Sequence, residues 1–263
     1  MKETYPPRPP AGLPHRRLCL AADVEQYSRL DTRTQSAVQS ELVRMLDEAA
    51  ALTGLDRTAW TRQPQGDMEF AVLPEATPED LVLGPFVHHL AVRLADRNAR
   101  PDAQRVRLRM AVDTGVVADA ALGHAGPAPV AVARYVNAPQ LRAVLATIAA
   151  ADLAVIVSDR LYQDVVRSGR RDLDPAQYVR AHVRVKEFGG YGWIRVPGHA
   201  PDDLRSAVAE TPEPKPAADA GAPGRTALSQ HVHQGAAVGR DVTGGLTVGL
   251  PVIPPSAGSG PAR

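Results

Sequence analysis

Apolar and polar residues follow one another along this chain in blocks that define most of its secondary structure. Arg17 to Ala22, apolar from Leu18 onward, suits a strand buried on both faces. Asp23 to Asp31 is polar and reads as a loop. Between Thr32 and Leu52 the apolar positions Val38, Leu42, Met45, Ala49 and Leu52 form the stripe of an amphipathic helix that stops near Gly54. Arg57 to Gln63 and Met68 to Leu73 are strand-like and enclose a short polar turn, Pro64-Gln65-Gly66-Asp67, so together they predict a hairpin. Thr77 and Pro78 open a helix as N-cap and first helical residue, and Gly84-Pro85 breaks it before a longer piece buried through Phe86, Leu90 and Leu94. From Arg105 to Val117 the alternation is regular. Val106, Leu108, Met110 and Val112 point inward and Arg105, Arg107 and Arg109 outward, which predicts a strand with one solvated face.

A Gly-rich loop at Gly123 to Pro127 precedes a helix over about 128–149. Leu153 to Val157 is a buried strand, and Ser158 caps a helix over 159–166. Tyr178 to Lys186 and Gly192 to Val196 are expected to close the domain as a pair of strands. Hairpins mixed with crossovers in the order βαββαβαββ indicate an α+β fold on a ferredoxin-like core. Residues 1–16 read as a disordered leader, 17–197 as the folded domain and 198–228 as a Pro/Ala-rich linker. Residues 229–263 read as a Gly-rich tail that could dock a protein partner by adding a strand.

Composition narrows the classes. A formal charge of +1 over 263 residues excludes a strongly basic nucleic-acid binder, and 4% aromatic residues argue against base-stacking platforms. The central strands carry no aromatic pair of the kind RNA-binding sheets use, so no nucleic acid is expected as a partner. No segment is long and apolar enough to span a membrane and no apolar leader is present, so the expectation is a cytoplasmic protein. High Ala, Arg, Gly and Pro with little Lys has the flavour of a GC-rich, actinobacterial genome. The single cysteine, Cys19, lies in an apolar strand and reads as a small buried hydrophobe. His88-His89 reads as a solvated or half-buried helix face. His231-x-His233 lacks the companions a metal site needs.

The candidate chemistry lies in two carboxylates. Asp23 ends the first strand, and Asp67 sits at the hairpin turn in Gln65-Gly66-Asp67-Met68-Glu69. Acids at two strand ends of one sheet are a common way to hold a pair of Mg²⁺ ions over a nucleoside triphosphate. An acid at a turn is also common for turn reasons alone.

These residues in this order resemble the class III nucleotidyl cyclase domain, the family of adenylyl and guanylyl cyclases, over about 16–197. The motifs are Asp23-Val24-Glu25-Gln26-Tyr27-Ser28 after the first strand and Gly66-Asp67 at the hairpin tip. They continue with a strand, Gly115, Gly126 and the helix bearing Arg134, and end with Lys186 in the terminal strand pair. The resemblance implies an α+β fold extended as in the cyclases and conversion of a nucleoside triphosphate to a cyclic nucleotide and pyrophosphate. Asp23 and Asp67 would hold two Mg²⁺ or Mn²⁺ ions, and Arg134 would meet charge developing on the α-phosphate. Tyr27, Ser28, Gln63 and Lys186 would contact the nucleotide. It also implies a head-to-tail homodimer whose carboxylates come from one subunit and whose Arg comes from the other.

The departures are equally specific. Val130 stands where the family carries Asn, Gln63 where it carries a purine-selecting Lys, and Gly123 where that Lys has its partner. They define an alternative, a catalytically degenerate cyclase-like module that binds a nucleotide or dimerises and signals through its C-terminal tail. The hairpin also echoes that of diguanylate cyclases, though the later motifs fit class III better.

Overall fold

The computed structural model describes residues 13–101 and 104–209. The tail from 210 onward, with its expected docking segment, and the leader up to residue 12 lie outside the described residues. In chain order the elements are β1 (His15–Val24), α1 (Thr32–Thr53), β2 (Thr61–Gln65), β3 (Met68–Val72), α2 (Glu79–Leu81), a π-helical turn (Val82–Phe86), α3 (Val87–Asn98), β4 (Leu108–Ala120) and β5 (Gly123–Ala125). Then follow α4 (Pro127–Val136), α5 (Pro139–Thr147), β6 (Leu153–Ser158), α6 (Asp159–Asp164), β7 (Val179–Val185), β8 (Phe188–Arg195) and α7 (Pro201–Ala209).

Seven strands form one sheet in the order β2-β3-β1-β4-β6-β8-β7, and β5 pairs with β4 alongside. The first four strands are wholly antiparallel, the arrangement of a ferredoxin-like βαββαβ core, and the fold is α+β as the sequence pattern predicts. β6 extends this core in parallel with β4, and the β7–β8 hairpin completes the sheet.

Alternation along β1 sends Leu18, Leu20, Ala22 and Val24 into one core and Cys19 and Ala21 into another on the opposite face. The first core is closed by Val38, Leu42 and Met45 of α1 with Leu90 and Leu94 of α3. The second is closed by Val132 and Tyr135 of α4, Leu141 and Leu145 of α5 and Leu204 of α7. Burying each such aliphatic side chain is worth roughly 1.5–3 kcal/mol. Cys19 is buried and free, and burial, with the Asp113 charge beyond it, pushes its thiol up to about 12. It is an inert packing residue.

Several boundaries differ from the sequence expectation. The helix expected over 128–149 is two helices, because Pro139 withholds a backbone N–H and its ring disfavours a helical residue before it. The first hairpin strand starts at Thr61, since Arg57–Ala59 closes a 3₁₀ turn with the Arg57 side chain directed inward. There Arg57 donates to both oxygens of Glu69, at 2.5 and 3.2 Å, and to Asp47 at 2.5 Å. Residues 201–209, placed in the linker by composition, form a helix that buries Leu204 and Ala207.

The largest difference concerns the arginine row. β4 lies between β1 and β6, and the two cores cover both faces of its first half, so Leu108 to Val112 are all buried. Arg105 donates to the carbonyls of Ala149 and Ala150, Arg107 to that of Ala151, and Arg109 is buried at 8% exposure. Alternation located the two faces correctly but could not show that helices cover both.

Gly126 precedes α4 at φ 125°, and a Cβ there would lie 2.4 Å from the Val116 carbonyl oxygen. Gly126→Ala is therefore expected to destabilise the domain by about 1–3 kcal/mol. Gly189→Ala, where a Cβ meets open space, should stay within about 0.5 kcal/mol in the same denaturant titration.

Candidate functional site

β1 delivers Asp23 to the end of the sheet where the β2–β3 turn also lies. The Val24 N–H donates to the Asp67 carbonyl at 3.0 Å, so the two acidic residues are held next to each other by backbone. Gln39 of α1 fixes this corner. Its amide donates to the Gly66 carbonyl at 2.9 Å and to the Tyr27 hydroxyl at 2.7 Å. Tyr27 packs against the first core, and Ser28, in the same 3₁₀ turn, is exposed.

Asp23 is 7% exposed and faces Arg109 directly across the β1–β4 ladder. The Arg109 guanidinium donates to Asp23 Oδ2 and to the Val136 carbonyl at the end of α4. Burial pushes the Asp23 carboxyl up to about 6 against the pull of Arg109, and the neighbouring Asp67 charge pushes in the same direction as burial. Next along the chain, Glu25 pairs with Arg107 at 3.2 Å. Each acid at this end of β1 already has a resident cation.

Whether this corner suits a pair of divalent ions follows from these contacts. A metal bound through Asp23 would have to evict a buried guanidinium, or share its carboxylate with one. Among the described residues, no group of three or more His, Cys, Asp and Glu side chains is placed to hold a metal ion. As arranged, these residues do not fit a two-metal centre.

On the same face, a groove of about 280 Å³ runs between the β2–β3 hairpin and α4, lined by Gln63, Met68, Phe70, His124, Val130 and Arg134 among others. One chain thus brings Gln63 and Arg134 to a common groove. The Gln63 amide lies where a side chain on residue 123 would be, 1.6 Å from the Cβ that Gly123 lacks. Val130, in the place of the family's Asn, is 48% exposed at the groove's edge. Arg134 Nη2 donates to Glu187 Oε1 at 2.7 Å, while its Nε is buried with no partner. Lys186, next to Glu187, occupies the β7–β8 turn at φ 55° and is exposed. By register this turn lies at the end of the strands opposite to Asp23 and Asp67.

Two groups escaped the sequence reading. Arg109 was assigned to solvent, although an Arg and an Asp of opposite sign on two apolar strands was a usable signal. Asp113 of β4 is wholly buried. It accepts from the Thr114 N–H at 2.8 Å and pairs with Arg160 at 3.3 Å, and its Oδ2 has no partner. Burial raises the Asp113 carboxyl, opposed by Ser158, Arg160 and Thr114.

No protein-family model and no curated protein matches the chain. Solved structures do. An adenylate/guanylate cyclase/hydrolase from Silicibacter pomeroyi is 20% identical over 71% of this chain and 99% of its own, with a TM-score of 0.50. The guanylyl cyclase Cya2 is 12% identical over 72% of this chain and 96% of its own, also at 0.50. The fold is that of class III nucleotidyl cyclase catalytic domains. At these identities the likeness concerns the fold alone.

Removing Arg109 tests the account of Asp23. Arg109→Met leaves a buried carboxylate without its cation and is expected to cost about 3–5 kcal/mol at pH 7. A folded-state value near 6, above the ordinary carboxylate range, means the folded protein binds this proton more tightly than the unfolded chain. Stability from Asp23 is therefore gained as pH falls toward about 4 and lost as pH rises to 6. The Arg109→Met deficit should shrink at pH 5, where the lone carboxyl is neutral. Adding Asp23→Asn should recover most of it at pH 7. Denaturant titrations of the two variants at both pH values read this directly.

Proposed function

We propose that this chain is a cyclase-fold regulatory module that binds a nucleoside phosphate and pairs with a second copy without performing two-metal cyclisation. The observation that carries this reading is the buried Asp23–Arg109 pair, which supplies a fixed cation at the position where the family's chemistry would require a metal. The groove's composition agrees. Gln63 and His124 offer hydrogen-bonding groups to a base edge, Arg134 offers a cation to a phosphate, and Val130 offers nothing to a ribose or a transition state. Losing one such donor typically costs an enzyme about 10²–10³ in rate. Leu122 and Val130 expose apolar surface on the turn after β4 and on α4. That surface supports docking of a second copy on this face. The site proposed for nucleotide is Gln63 and Arg134, with Tyr27 and Ser28 supporting the adjoining turn and Lys186 available to a partner subunit.

The competing reading is an active cyclase using Mg²⁺ or Mn²⁺. It draws its support from the backbone contact that holds Asp67 beside Asp23.

Incubating the full chain with each of the four ribonucleoside triphosphates and Mn²⁺, with mass-spectrometric detection of cyclic nucleotides, separates the two. The module reading expects no cyclic product, and triphosphate binding by calorimetry that survives a chelator and the Asp67→Asn substitution. A cyclic product that disappears in a folded Asp67→Asn variant would overturn it in favour of the enzyme.

A further inference from the structure

His88 and His89 open α3, and their rings meet at a steep angle with centroids 5.5 Å apart. Both line a cleft of about 310 Å³ together with Gly84, Pro85, Arg171 and Arg195. This cleft belongs to the side of the sheet packed by the first core, and the groove of the proposed nucleotide site belongs to the other. Its described lining holds two guanidinium groups and two imidazoles and no carboxylate. No hydrogen bond is made by either imidazole to the described residues. Arg171 uses Nε on Asp80 at 3.1 Å, outside the lining, and its two terminal nitrogens have no partner among the described residues.

Two backbone features converge on the same place. Gly84 and Pro85 lie in the π-helical turn that precedes α3, a rare geometry found disproportionately at functional sites. Arg171 sits at φ 50° and ψ 47°, a left-handed conformation that costs a non-glycine residue about 1–3 kcal/mol. The neighbouring backbone accommodates it closely, since a Cβ on Gly84 would lie 3.1 Å from the Arg171 carbonyl oxygen. Arg195 is held from the sheet side, its guanidinium 5.8 Å from the centre of the Tyr178 ring.

Guanidinium groups match the oxygens of a phosphate through paired N–H donors, and imidazoles add further N–H groups. The volume exceeds what a free phosphate fills and lies at the small end of pockets for organic ligands. We infer that this cleft binds a small phosphate monoester, its phosphate held between Arg171 and Arg195 and capped by His88 and His89. The site is separate from the proposed nucleotide groove, and its test does not depend on that reading.

The test is calorimetric titration of the full chain at low ionic strength with inorganic phosphate, ribose 5-phosphate (a phosphate monoester without a base) and a phosphoserine peptide. Saturable binding of ribose 5-phosphate is expected, weakened at least tenfold in Arg171→Gln and in the His88→Ala/His89→Ala double variant, and unchanged in Arg44→Gln, an exposed α1 residue outside both sites. Arg195→Lys, which keeps the charge but loses the paired donors, should weaken binding by a smaller factor. Circular dichroism establishes that each variant is folded. Absence of saturable binding overturns the proposal. So does binding that ignores the cleft variants, or binding that is lost equally in Arg44→Gln. Binding of the phosphopeptide alone also overturns it, and would make the cleft a docking point for a modified protein.

Discussion

Burial of the central strands on both faces is the constraint from which the rest of this domain follows. The middle stretches of β1 and β4 are sandwiched between two cores, so a charge there has little access to bulk water and must find its counter-charge in a neighbouring side chain. Asp23 finds Arg109 and Asp113 finds Arg160, while Glu25, just beyond the strand end, finds Arg107. A strand end that is open to solvent can exchange a water shell for a metal. One that has been closed by an arginine holds its cation permanently. The same acidic residue therefore means different chemistry depending on what its cross-strand neighbour contributes.

Much of the architecture was legible in the sequence because it is governed by local periodicity. The α1 stripe of Val38, Leu42 and Met45, the uninterrupted apolar run of β1 and the N-cap at Ser158 each depend on residues close together in the chain. What was not legible depends on what packs against each strand. The row Arg105, Arg107 and Arg109 has the alternation of an exposed strand, yet Arg105 alone is exposed, Arg107 is half-buried and Arg109 is buried. Pro139 announces a helix break in the sequence, yet the surrounding apolar pattern runs through it unchanged. The α7 helix was hidden by composition, since Leu204 and Ala207 are too few to signal burial by themselves.

The candidate site shows the same division. That Asp67 sits at a hairpin tip beside the end of β1 was readable from the motif, because tight turns leave strong local marks. The partners of the functional side chains left weaker marks, because Arg109 and Glu187 are distant in sequence from Asp23 and Arg134, and for Arg109 the signal was an opposite charge on a second apolar strand. Glu69 illustrates the point within the motif itself. It belongs to the same pentapeptide as Asp67, but alternation along β3 turns it inward to a bidentate pair with Arg57, so it serves the fold.

The contact between Gln63 and Gly123 has a consequence for how such a domain can change over time. Because the Gln63 amide fills the volume beside the bare Cα of Gly123, and because φ there is 119°, any side chain introduced at 123 collides with one already present. A side chain at 123 displaces the flexible Gln63 amide and strains a backbone held at positive φ. The two positions are therefore coupled: whatever replaces Gly123 decides where the residue at 63 can point.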